Sequence, residues 1–251
     1  MSIQRIYVLG AYRKKHNLFF KPQELESRIM ELVEKPGAKQ IVFLSVWDLL
    51  RARRKGEYSE CVKNADLVLP VSKSILSGAK FLKKNVPVRY NPFDSVINIL
   101  SVLTSHLKTL YILGGRKKTL MTAERHVRST FKGLQVVGRY VGYYPKSVED
   151  DIVQAIYKAS PSLVLVSEGI KEKDTWSFTR RNRFSDSIFL YYHDAVGIFS
   201  QRITRVNERT FNKGLEIWSE IIRNPLKIFL VFPYMWYLIL LLWTRVFKKA
   251  D

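Results

Sequence analysis

Apolar residues fall along this chain in two alternating rhythms. Short unbroken runs, such as Ile41-Val42-Phe43-Leu44, Leu67-Val68-Leu69 and Leu163-Val164-Leu165-Val166, stop at turn signals such as Pro70. Runs this short and this apolar suit strands buried on both faces. They predict strands over 40–46, 67–69, 109–113, 134–138, 163–166 and 187–192, with further strands over 5–10 and 86–90. Between the runs, apolar residues recur three and four apart. Leu25, Ile29, Leu32 and Val33 predict a helix over 21–33, and Lys35-Pro36-Gly37 stops it. The same spacing predicts helices over 74–84, 95–108, 119–131 and 148–160. Strand alternating with helix gives an α/β class: a Rossmann-like, mostly parallel sheet with helices on both faces. Ligand sites in such sheets lie where the strands end.

The last fifty residues break this rhythm. Residues 228–244 carry no charge and are rich in Leu, Ile, Phe, Trp and Tyr, with Lys227 and Arg245 at the flanks. At about 1.5 Å per residue such a helix barely reaches a bilayer's thickness. Pro233 is expected to bend or break it near its start, and Arg245, Lys248 and Lys249 would oppose the positive-inside tendency if it spanned. The expected division is an α/β domain over 1–200 and a helical appendage over 201–251. An interfacial or re-entrant anchor is favoured over a short span or burial against the globular part.

Charge adds a partner class. The chain carries 42 Lys+Arg against 22 Asp+Glu, a net charge of +20. A field of that sign attracts anionic lipid, phosphorylated substrates or nucleic acid. No RNA or DNA module is recognisable, so nucleic acid is not expected, whereas an anionic membrane surface accounts for both the charge and the tail. Cys61 is the lone cysteine, which excludes an intrachain disulfide and points to a reducing compartment. The four histidines show no metal-ligand spacing, and neither metal nor cofactor is expected. Residues 6–9 are too short an apolar core for a signal peptide.

Several segments also carry a resemblance. Asn64-Ala65-Asp66-Leu67-Val68-Leu69-Pro70, then a helix, then Val86-Pro87-Val88-Arg89-Tyr90 and Asp94, resembles the WecG/TagA/CpsF family of bacterial glycosyltransferases (glycosyltransferase family 26). Tyr111-Ile112-Leu113-Gly114-Gly115 is similar to the family's strand and glycine pair. Gly142-Tyr143 is similar to its Gly-Tyr/Phe turn, Gly169, Asp174 and Trp176 to parts of its Gly-x-Gly-Ser-Pro-Lys-Gln-Glu-x-Trp motif, and Ile203-Thr204-Arg205 to its Val-Lys-Arg. Gly214-Leu215-Glu216, Trp218 and Asn224-Pro225 resemble the segment that follows. The departures are at polar motifs. Phe43-Leu44-Ser45 stands for Thr-x-Asn, Val71-Ser72 for Asp-Gly, 170–173 for Ser-Pro-Lys-Gln, and 193–197 for Gly-Gly-Ala-Phe-Asp, where Ala195 alone stays in place.

The resemblance implies transfer of an N-acetyl-hexosamine-type sugar from a UDP-sugar donor to a polyprenyl-diphosphate-linked acceptor, in cell-envelope or surface polysaccharide synthesis. It implies a peripheral or monotopic place on the cytoplasmic face of the cell membrane. Such chemistry needs a base for the incoming hydroxyl and cations for the departing diphosphate. Val71 stands where the family has its base, so the candidate catalytic residue is Asp94. The candidate donor and diphosphate residues are Arg89, Gly114, Gly115 and Arg205. The glycine pair either makes a tight turn or aims backbone N–H groups at a phosphate, with Arg116, Lys117 and Lys118 adding charge. His193-Asp194 reads as structural, because neighbours in a strand face opposite sides. The rival expectation is an inactive relative that serves as a membrane-bound scaffold, as an oligomer or with a partner glycosyltransferase.

Overall fold

A computed structural model describes residues 25–206, 208–214, 229 and 231–247. The expected strand over 5–10 and the motif matches at 215–225 lie outside them. Among the described residues six strands form one sheet: β1 (Lys39–Leu44), β2 (Leu67–Pro70), β3 (Thr109–Leu113), β4 (Gln135–Tyr140), β5 (Leu163–Val166) and β6 (Ile188–Tyr191). Their order is β2-β1-β6-β5-β3-β4, and every neighbouring pair is parallel.

The strands are apolar throughout because both faces are covered. On one face Ile41, Phe43, Leu110, Ile112, Leu163 and Leu190 pack with α1 (Leu25–Glu34), α5 (Pro92–Ser105), α6 (Lys117–Thr130) and α9 (Ala195–Phe199). Alternate residues turn the other way. Val42, Leu44 and Val68 meet α2 (Val46–Ala52), α3 (Glu57–Asn64) and α4 (Lys73–Phe81). Val164, Val166 and Phe189 meet α7 (Glu149–Ala159) and α8 (Asp174–Thr179).

The expected strand over 86–90 does not form. That segment has no regular secondary structure, and its Tyr90 N–H donates to the Pro70 carbonyl (2.8 Å). Pro87 cannot donate to a ladder. The connection from β2 to β3 therefore carries both α4 and α5. Asn91 caps α5, its Oδ1 accepting from the Phe93 N–H (3.2 Å), and Pro92 occupies the first turn.

Among the described residues α9 is followed by a short helix, α10 (Glu208–Lys213), and a longer one, α11 (Val231–Phe247). Pro233 falls in the first turn of α11, where its missing N–H leaves no bond unmade, so it does not break the helix. Among the described residues no helix is long and apolar enough to cross a membrane. One face of α11 is docked. Tyr237 and Leu241 are buried in the cluster of α2, α3 and α4, and Tyr237 Oη donates to the Ser74 carbonyl (2.8 Å). The opposite face, Phe232, Met235, Trp236, Ile239, Trp243 and Phe247, repeats three to four apart and is exposed.

The motif around Asp174 and Trp176 lies in the interior. Trp176 packs on Phe184 (5.8 Å between ring centroids) and the β5–β6 face. Asp174 is buried and its Oδ1 has no hydrogen-bond partner. Burial, then the nearby Asp48 carboxylate, pushes its acid up to about 8. The fold thus holds a proton that the unfolded chain releases above the ordinary value of 3.8. Between those two values each rise in pH favours the unfolded state. Asp174→Asn is therefore expected to melt above the wild-type protein at pH 7.5, the gap closing as pH falls towards 4. Melting curves across that range check it; a gap that does not change with pH would contradict it.

Candidate functional site

Parallel strands bring all their carboxyl ends to one edge, and the loops there hold most of the polar chemistry. At the β3, β4 and β5 ends the backbones nearly touch. A Cβ on Gly142 would lie 2.2 Å from the Glu168 carbonyl, and one on Gly114 2.8 Å from Ser167 Cβ. The Gly114 N–H donates to the Tyr140 carbonyl (2.9 Å) and the Gly115 N–H to the Glu168 carbonyl (2.8 Å). Both N–H groups are thus spent within the fold. What the glycine pair supplies is the close approach of three loops, at φ values of +139° and +73° that favour glycine.

That turn delivers the start of α6 to the edge. Arg116 caps the helix without a side-chain hydrogen bond, no acidic residue lies in the first turn, and Arg116, Lys117 and Lys118 are exposed. Cations at the positive end of a helix dipole destabilise it unless an anion joins them. Arg116 also lies over the Tyr143 ring, 5.3 Å from its centroid.

The loop after α9 carries the remaining cations. Phe93 and Phe199 pack at 5.2 Å between centroids, which holds the start of α5 against the end of α9. This brings Arg205 to Asp94, 3.5 Å between Nη1 and Oδ1, with 61% and 45% of the side chains exposed. Two residues singled out in separate segments of the sequence therefore meet at the open mouth of the edge. An ion pair this exposed is worth about 0–1 kcal/mol, so a ligand can open it.

Arg89 is placed differently. Its Nε donates to the Val71 carbonyl (2.8 Å), its Nη1 to the Phe211 carbonyl (2.6 Å), and its guanidinium stacks 3.7 Å from the Phe211 ring centroid. It clamps α10 to the end of β2. The Val71 side chain packs against the core beneath.

Sequence reasoning missed a second pair. Glu168, at the end of β5, accepts from Arg202 Nη2 at 2.6 Å on both oxygens, and its side chain is 10% exposed. The available signal was a carboxylate directly after a buried strand and before Gly169, where strand-end chemistry concentrates. Ser167 beside it is fully buried, its Oγ donating to the His193 carbonyl (2.7 Å) and accepting from the Val196 N–H (3.2 Å). His193 and Asp194 follow β6 rather than lie in it. The turn brings them to one side, 3.9 Å between Nε2 and Oδ1, and both are accessible. Tyr191 Oη lies 3.2 Å from His193 Nδ1, and burial keeps that phenol protonated. Among the described residues no group of three or more His, Cys, Asp or Glu could hold a metal ion.

This chain is similar to known proteins over most of its length. A family model described as "Glycosyl transferase WecG/TagA/CpsF family" matches residues 16–251. A curated protein of Bacillus spizizenii is 20% identical over 174 residues, 69% of this chain and 67% of that protein. It is named N-acetylglucosaminyldiphosphoundecaprenol N-acetyl-beta-D-mannosaminyltransferase.

Removing Arg202 leaves the Glu168 charge nearly buried and unpaired. Arg202→Ala is expected to cost about 1–3 kcal/mol, seen as a lower urea midpoint. Glu168→Gln in the same background should recover most of it. An unchanged midpoint in Arg202→Ala would contradict the pairing.

Proposed function

The chain belongs to the WecG/TagA/CpsF glycosyltransferase family, and on that premise we propose that it moves an N-acetyl-hexosamine-type sugar from a UDP-sugar to a polyprenyl-diphosphate-linked acceptor. The observation that carries this reading is the Asp94–Arg205 pair at the mouth of the sheet edge. The name of the Bacillus relative supports a lipid-linked diphosphate acceptor.

In this reading the donor diphosphate lies between the start of α6 and the loop of Arg205. Arg116, Lys117, Lys118 and Arg205 surround it with positive charge. Arg205 moves from Asp94 to the diphosphate, which leaves the Asp94 carboxylate free as a base. The acceptor hydroxyl oxygen forms a bond to the anomeric carbon as the bond from that carbon to UDP breaks. Its proton passes to Asp94, and the negative charge leaves with UDP towards the cations. Gly114 and Gly115 let the α6 start approach, and Arg89 holds α10 beside the site. The outward aromatic stripe of α11, with the chain's net positive charge, seats the enzyme on an anionic membrane surface, on the cytoplasmic face where nucleotide sugars are made.

Val71 favours a second reading. Where the family's base is expected, this chain has an apolar side chain packed into the core. A scaffold with this fold would bind nucleotide or lipid without turnover and act beside a partner glycosyltransferase.

Calorimetric titration of UDP separates these from an empty site. Wild-type protein is expected to bind UDP, and Arg205→Ala to bind it about tenfold more weakly, near 1.4 kcal/mol. Equal affinity in the two would remove Arg205 from the donor site, and no binding by either would overturn the transferase reading. Trp236→Ala combined with Trp243→Ala should lose binding to anionic vesicles in a sedimentation assay without changing the melting temperature. Unchanged vesicle binding would contradict the seating of α11.

A further inference from the structure

Between α4 and α11 runs a groove of about 540 Å³, within the range of about 300–1,000 Å³ typical of small-molecule sites. We propose that it holds the first isoprenoid units of the acceptor's lipid tail, with the diphosphate at the sheet edge. This rests on the transferase reading above and adds the place where the acceptor lipid lies.

The two ends of the groove differ. One end lies at the start of α4, directly after β2, where Lys73 and Gly214 form the wall. A Cβ on Gly214 would lie 2.5 Å from Lys73 Cδ, so the turn after α10 closes tightly on that lysine. The Gly214 N–H donates to the Phe211 carbonyl (2.8 Å), the same carbonyl that Arg89 holds. This end is thus fastened, through Arg89 and the Val71 carbonyl, to the carboxyl end of β2. The other end is Phe81, covered by Arg245, which stacks 4.4 Å from the ring centroid and donates to its carbonyl.

The wall between is apolar in effect. Ser74 Oγ lies 3.4 Å from Tyr234 Oη, and the Ser74 carbonyl accepts from Tyr237. Gly78, with no side chain, and the buried Leu241 also line the groove. Among the described residues no acidic side chain lines it. One side is open. Leu238 and Leu242 line the groove and also belong to the exposed face of α11. A lipid can slide in from a bilayer against that face without passing its tail through water.

This polarity fits one ligand class. An isoprenoid diphosphate has an anionic head for the Lys73 end and a long apolar tail for the rest. The nine residues of α4 span about 13 Å, so the groove takes the first units of the tail and leaves the remainder in the membrane.

The test uses the full chain, with geranylgeranyl diphosphate and inorganic diphosphate as probes. Ser77 lines the groove but is exposed, so Ser77→Phe fills the groove without disturbing the core. Wild type and Ser77→Ala are expected to bind the isoprenoid at least about tenfold tighter than inorganic diphosphate. Ser77→Phe is expected to lose that advantage while keeping the wild-type melting temperature and vesicle binding. Isoprenoid affinity unchanged in Ser77→Phe, or no tighter than for inorganic diphosphate, overturns the proposal. Isoprenoid binding that Ser77→Phe abolishes in a chain that binds no UDP would support the groove and sink only the transferase reading. UDP binding without isoprenoid binding would do the reverse.

Discussion

Because all six strands run parallel, each connection has to cross a face of the sheet, and every strand-end loop meets its neighbours on one edge. The rest of the molecule follows from that constraint. Loops converging there need room, and Gly114, Gly142 and Gly169 supply it by letting backbone touch backbone. Once the loops are that close, their polar side chains have few partners except each other. Glu168 finds Arg202, and Asp94 finds Arg205. The two pairs differ in depth. The Glu168 carboxylate is nearly buried and holds its loop in place, whereas the Asp94 pair lies in water and is cheap to open.

The appendage is tied to the same edge by Arg89. Its guanidinium joins the carbonyl after β2 to the carbonyl of Phe211 and stacks on that ring. Arg89 thus positions a helix, and whatever reaches the end of β2 does so beside α10. Beyond it, α11 has two apolar faces. The inner one, centred on Tyr237 and Leu241, completes the core over α4. The outer one has no partner among the described residues, and an apolar stripe of this size on a strongly basic protein fits an anionic membrane surface.

Much of the sheet was legible in the sequence because a doubly covered parallel strand writes itself as an unbroken apolar run. Residues 163–166 are bounded alike in sequence and structure. The run at 86–90 misled, because apolar alternation says nothing about pairing, and Pro87 removes a ladder donor. The α3 helix went unassigned although Tyr58, Cys61, Val62 and Ala65 recur at helical spacing. Its start at Gly56 and its charged outer face hid the period. The site was legible in parts only. Asp94 and Arg205 each stood out, but their meeting depends on Phe93 against Phe199, a contact between distant segments. Glu168 with Arg202 was missed for the same reason. The alternation of side chains along a strand does not apply to His193 and Asp194, because they follow the end of β6.

The central claim is that Asp94, released from Arg205, serves as the base for glycosyl transfer at this edge. Its most direct test is acceptor-dependent release of UDP from a UDP-N-acetyl-hexosamine, measured in vesicles carrying a polyprenyl-diphosphate-linked sugar, for wild type and Asp94→Asn. Acceptor-dependent release by wild type that falls about 100-fold or more in Asp94→Asn, within the range typical of a lost general base, with UDP affinity retained, is the result the account predicts. Release by Asp94→Asn at the wild-type rate, or no release by either protein, would contradict it.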